Sequence, residues 1–178
     1  MSIWKLFGFG NEASPRAAAG AETETVRKIT AALDQLPPER ARFLAAFAYI
    51  LSRVAHADQK ISPEETSAME QIVMREGSLP EEQAVIVVQM AKTQSLLFGG
   101  IEDYVVTREY NNLANREEKL GLLHCLYAVA AASGSVSMAE DNVIRQISSE
   151  LKLEHPDYIA VRLQHKEFLT VLKEGRSQ

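Results

Sequence analysis

Residues 51–72 read LSRVAHADQKISPEETSAMEQI, and 75 positions later residues 126–147 read LYAVAAASGSVSMAEDNVIRQI. Each stretch runs from an apolar, alanine-rich segment through a short polar turn to a β-branched residue, then to Ser-x-x-Glu opening an amphipathic segment. Leu51, Val54, Ala55, Ala57, Ser62, Glu65, Gln71 and Ile72 meet identical residues at Leu126, Val129, Ala130, Ala132, Ser137, Glu140, Gln146 and Ile147, and Ile61 falls on Val136. Apolar positions at helical spacing flank both turns, which makes each unit a helical hairpin. A doubled hairpin predicts an all-α, single-domain bundle with an internal pseudo-twofold repeat. Alanine lets helices approach closely, so Ala45–Ala57 and Leu120–Ala132 are expected to be the two central, most buried helices.

Working outward, Val26, Ile29, Leu33 and Leu36 recur at helical spacing until Pro37-Pro38 ends that helix and opens the next. Phe43, Phe47, Ile50, Leu51 and Val54 form a broad apolar face on the second helix. Further helices are expected over residues 63–76, 80–98, 101–113, 116–132, 138–151 and 156–172, giving a bundle of about seven to eight. The run AVIVVQMA at 84–91 is the most strand-like, but Pro80-Glu81-Glu82 starts it as a helix. Pro38-Glu39, Pro63-Glu64-Glu65, Pro80-Glu81-Glu82 and Pro156-Asp157 share one grammar. Proline loses nothing where the first amides lack intrahelical acceptors, and the acids favour the positive end of the macrodipole. Gly77, Gly99-Gly100 and Gly134 fall where helices should end.

The helical domain is expected to span residues 24–174, with a short tail at 175–178. Ahead of it, residues 11–23 (NEASPRAAAGAET) are small, polar and Gly/Pro-punctuated, the composition of a flexible linker. Residues 1–10 gather Ile3, Trp4, Leu6, Phe7 and Phe9 around Lys5, an apolar arm too short for a signal peptide's core. Its plain reading is a tail docked on its own domain or on a neighbour. The alternative is a peripheral membrane contact through Trp4 and Phe7, to which one lysine adds little attraction for anionic lipid.

A chain of 178 residues can bury a core without staples. Cys125 is its one cysteine, which excludes an internal disulfide and fits a reducing cytoplasm. A net charge of −5 argues against nucleic acid, whose binding needs clustered Lys and Arg. No apolar run reaches the roughly 20 residues of a bilayer span.

The segments AHADQKISPEE followed by MEQIV, and AVAAASGSVSMAEDNVIRQI, resemble the two copies of the tellurite-resistance TerB family, which includes the DjlA-like domains attached to some J-domain proteins. The resemblance covers about residues 40–172. It implies an all-helical fold, a bacterial cytoplasmic setting and a link to stress or metal-oxyanion resistance. The family's acidic cluster for a divalent cation, calcium or magnesium, would map onto Asp58, Glu65 and Glu140. This chain departs from the family in its turns, reading Asp58-Gln59 in place of Asp-Gly, and Ser133-Gly134, which removes one carboxylate.

The residues themselves leave two readings open for those acids. Ser62-x-x-Glu65 and Ser137-x-x-Glu140 are capping boxes, in which the glutamate closes back on the serine's amide and needs no metal. Asp58 follows a helix C-terminus, an already negative position where a carboxylate calls for Lys60, a turn amide or a hard cation. Calcium takes about six to eight oxygens, so three carboxylates would need carbonyls and water besides, and binding should be weak.

His56 and His124 read as helix-end and core-boundary residues, Cys125 as a small buried hydrophobe, and His155 and His165 have no metal-like spacing with another ligand. No HExxH, P-loop, dinucleotide-binding glycine pattern or Ser elbow is present. The expectation is a non-enzymatic module that binds a divalent cation or a protein partner through an acidic face. The alternative is a membrane-proximal scaffold tethered by Trp4 and Phe7 at the inner face of the membrane.

Overall fold

The computed structural model describes residues 15–55, 63–94 and 103–170; Trp4 and Phe7, the first turn with His56 and Asp58, and the C-terminal tail lie outside the described residues. Eight helices occur among them: α1 Pro15–Asp34, α2 Pro38–Ala55, α3 Pro63–Glu76, α4 Glu81–Gln94, α5 Asp103–Leu113, α6 Arg116–Ala131, α7 Met138–Glu150 and α8 His155–Gln164. The β content of the described residues is one isolated bridge, Val136 to Leu169. The all-α expectation therefore holds.

Two boundaries differ from the sequence reading. Helix α1 begins at Pro15, inside the stretch 11–23 expected to be a flexible linker. Alanine and glutamate there are good helix formers and proline suits a helix start, which outweighs the single glycine as a breaker. Helix α8 stops at Gln164 and gives way to turns, because Leu169 is drawn across to Val136: the Val136 amide donates to Phe168 O (2.7 Å) and the Thr170 amide to Val136 O (3.0 Å).

Helices α2 and α6 form the centre, as their alanine-rich composition suggested. In α2, residues from Phe43 to Val54 are buried on nearly every side, and α6 buries Leu122, Leu123, Cys125, Leu126, Tyr127 and Ala130. Helix α2 packs on α4, α5, α6 and α7, while α6 packs on α2, α3, α7 and α8. The pseudo-twofold is visible in these pairings, since α3 against α6 repeats as α7 against α2. Helix α4 looked strand-like because it is apolar around its circumference, and the structure gives the reason: α1, α2 and α3 all cover it.

Glycine makes tight crossings as well as alanine. A methyl group built on Gly121 of α6 would stand 2.9 Å from the Glu76 carbonyl oxygen at the end of α3. One on Gly77 would stand 2.6 Å from Val73 O, 3.1 Å from Phe47 Cζ and 3.2 Å from Cys125 Sγ. Aromatic rings fill the other side of α2, with Phe43 and Tyr110 stacked at 5.1 Å and Phe47 edge-on to Tyr110 at 6.1 Å.

These contacts fix the sense of the helices. Arg40 and Glu118 approach near the starts of α2 and α6 (3.9 Å), and Phe47 and Cys125 converge on Gly77 further along, so the two helices run in the same sense. Gly121 lies against Glu76 and the Cys125 thiol reaches Ile72 O (3.9 Å), so α3 runs antiparallel to α6. Hence α2 and α6 end, and α3 begins, at one pole of the bundle.

Candidate functional site

That pole is where the repeat places its acids. The second turn is described in full. Helix α6 closes with the Ala132 amide donating to Val129 O and the Gly134 amide to Ala131 O, and Gly134 takes the left-handed conformation (φ 99°) that such a stop requires. Ser133 Oγ lies 3.1 Å from Ala130 O and 3.2 Å from Ser135 O. Val136 then turns inward, 1% exposed, and anchors the turn to the residues after α8.

Ser137 and Glu140 form the expected capping box. The Glu140 amide donates to Ser137 Oγ (3.2 Å), and the Ser137 amide and hydroxyl both donate to Glu140 Oε2 (2.7 Å each). The cap uses Oε2 and leaves Oε1 outside it. Glu65 is exposed in the first turns of α3, at the same pole. Asp58 and Ser62 lie outside the described residues, so the third carboxylate and the cap of α3 have no described geometry. Among the described residues, no three His, Cys, Asp or Glu side chains are grouped so as to hold a metal ion.

The acid next to Glu140 is committed elsewhere. Asp141 accepts from Tyr127 Oη (2.8 Å) and from Arg162 Nε and Nη2 (3.0 and 2.7 Å), which ties α6, α7 and α8 together. Burial pushes its carboxyl up, but the bonds from Arg162 and Tyr127 outweigh that and hold it below the usual range.

A buried polar row at this end of the α3–α4 hairpin escaped the sequence reading. Lys92 Nζ donates to Thr66 Oγ1 (2.9 Å), and Glu70 and Gln89 are buried beside them. Glu70 Oε1 has no hydrogen-bond partner, and burial raises its carboxyl against the opposing pull of Lys92. Gln89 and Lys92 as lone polar residues in an apolar helix were the signal, with Thr66 and Glu70 on one face of α3 at i, i+4 spacing.

Other chemically active groups are quiet or differently placed than spacing suggests. Cys125 is fully buried, and burial pushes its thiol far up, which suits a packing residue. His124 and His165, 41 positions apart, face each other with ring centroids 6.0 Å apart. Linear spacing could not show this, because it depends on α8 folding back on α6. At the other end of α6, Arg116, Lys119, Lys152, Leu153, Glu154 and Asp157 line an open cavity of about 410 Å³, in which Arg116 pairs with Asp157.

Compared with known families, residues 43–163 match the one described as Tellurite resistance protein TerB. The matched stretch runs from α2 into α8 and includes both turns of the repeat. No curated protein and no solved structure matches the chain. No helix among the described residues is long and apolar enough to cross a membrane.

Proposed function

The chain belongs to the TerB family, and from that membership we propose that it is a non-enzymatic helical module whose acid-bearing pole takes up a hard divalent cation, calcium or magnesium, or a basic segment of a protein partner. One observation supports this reading most. Helices α2 and α6 run in the same sense and α3 runs against them, so two negative helix ends meet the glutamate-bearing starts of α3 and α7. Glu140 keeps Oε1 outside its cap, Glu65 is exposed, and Asp58 falls between α2 and α3 in the sequence. Carboxylate oxygens of this number leave most of the cation's shell to carbonyls and water, which sets affinity on the order of 10⁻⁴ to 10⁻³ M. The burial of Cys125 favours binding over nucleophilic turnover. We place this role in the tellurite-resistance setting that the family description names.

Calorimetric titration of the full chain with calcium and with magnesium tests it. Saturable heat in the wild type that is lost in Asp58→Asn and weakened in Glu65→Gln is the expected result. Equal heats in wild type and Asp58→Asn would remove the cation from the account.

A further inference from the structure

We infer that His124 and His165 form a second cation site of different chemistry, taking a borderline transition-metal ion such as Cu²⁺, Ni²⁺ or Zn²⁺ between α6 and the turn that follows α8. The rings stand 6.0 Å apart between centroids and are tilted by 54°. Two imidazoles sharing one metal at about 2.0–2.1 Å per bond bring their centroids to about 5 Å, so capture requires roughly an ångström of side-chain movement. Both residues are half-buried, and among the described residues neither ring forms a hydrogen bond that would occupy its nitrogens.

The pair is held in place. The Tyr127 ring stacks on His165 at 5.5 Å and 15°, and Tyr127 is itself fixed through its hydroxyl to Asp141, which Arg162 grips. Stacking on a fixed ring limits the rotation of the His165 imidazole. Burial lowers both imidazoles, and the proximity of His124 lowers His165 further, which favours the neutral form that a metal requires. Glu76 at the end of α3 is the acid whose charge reaches both rings, in the sense that welcomes a cation. With no third protein ligand grouped there among the described residues, water completes the shell, and affinity should follow copper above nickel.

This site is independent of the acidic pole. Imidazoles select copper, nickel and zinc, whereas carboxylates and carbonyls select calcium and magnesium, so either site can fail without the other. The experiment is a titration of tag-free full-length protein with Cu²⁺ and Ni²⁺ at pH 7.5, using wild type, His124→Gln, His165→Gln and His155→Gln. One ion per chain is expected, with affinity reduced by at least about tenfold in His124→Gln and His165→Gln and unchanged in His155→Gln. Unchanged affinity in either of the first two variants, or no saturable binding in the wild type, would overturn the site. Should a variant fail to fold, copper-induced broadening of the wild-type histidine ring signals decides it. Broadening centred on His124 and His165 supports the site, and broadening centred elsewhere refutes it.

Discussion

Arg53, in the last turn of α2, clasps Glu150, in the last turn of α7, through bonds of 2.7 and 3.2 Å, with the two side chains only 9% and 12% exposed. The pair joins the first helix of one hairpin to the second helix of the other, and Thr107 of α5 (3.1 Å from Arg53) and Gln146 (2.8 Å from Glu150) complete it. Removing one partner strands a buried charge, so Arg53→Met should cost about 3 kcal/mol at pH 7. Burial raises the Glu150 carboxyl, but the bonds from Arg53, Thr107 and Gln146 outweigh it and hold it below the usual range. A carboxyl lowered by folding adds stability above its unfolded pKa, roughly 4, and that stability is lost as pH falls through the folded value. Denaturant melts at pH 7 and pH 3 should show the Arg53→Met penalty shrinking at the lower pH. A penalty independent of pH would mean that packing rather than charge holds the hairpins together.

The contact of Gly121 with the Glu76 carbonyl makes a prediction opposite to helix propensity. In an exposed helix, Gly→Ala gains up to about 1 kcal/mol. Here a methyl 2.9 Å from a backbone oxygen forces α3 away from α6, and the net effect should be a loss of about 1–2 kcal/mol. A raised Tm in Gly121→Ala would show that the crossing has room to spare.

Glu70 carries a pH dependence opposite in sign to that of Glu150. Burial raises the Glu70 carboxyl and lowers the Lys92 ammonium, each opposed by the other's charge. A carboxyl raised by folding contributes stability that is present below its unfolded pKa and lost as pH rises through the folded value. Lys92→Met alone should destabilise at pH 7, leaving a charge on a residue only 2% exposed. Replacing both with Met should be neutral or stabilising, as buried ion pairs often cost more than they return. Thermal melts of the single and double variants check this, and a double variant weaker than Lys92→Met would refute it.

Capping separates structure from ligation at the pole. Ser137→Ala removes the acceptor for the Glu140 amide and should cost about 1 kcal/mol while leaving Glu140 Oε1 available. A stability loss with unchanged calcium heat is expected. Loss of both together would show that the cap itself orients the ligand.

Much of this molecule can be read in its residues, and what cannot is tertiary in origin. Pro38, Pro63 and Pro156 mark helix starts by local chemistry, and the matched series from Leu51 to Ile147 gives the paired hairpins without any contact being known. Asn115-Arg-Glu-Glu118 is a capping box as legible as that of Ser137, with the Glu118 amide on Asn115 Oδ1 and the Asn115 amide on Glu118 Oε2 (2.9 Å each), although it lies outside the repeat. The alanines mark the central helices, but the tight crossing of α3 on α6 depends on Gly121 meeting a carbonyl far along the chain. Thr66 and Glu70 look like solvent-facing residues until α4 is laid across them. Asp141, beside a candidate ligand, proved to be a clasp for Arg162, a partner that local spacing cannot assign. Asp58, Trp4 and Phe7 remain sequence expectations, since they lie outside the described residues.

The acidic-pole reading rests on α2 and α6 running in the same sense with α3 against them, so that the start of α3 and the turn after α6 lie at one pole. Spin labels placed by Ser67→Cys with Ser135→Cys, and by Ser67→Cys with Glu117→Cys, measure whether the start of α3 and the turn after α6 share that pole, and the buried Cys125 thiol leaves labelling to the introduced positions. Helix α6 is about 24 Å long, and Glu117 lies at its far end. Pulsed dipolar spectroscopy should give a clearly shorter distance for the Ser67–Ser135 pair than for Ser67–Glu117; equal distances, or the reverse order, would contradict a common pole.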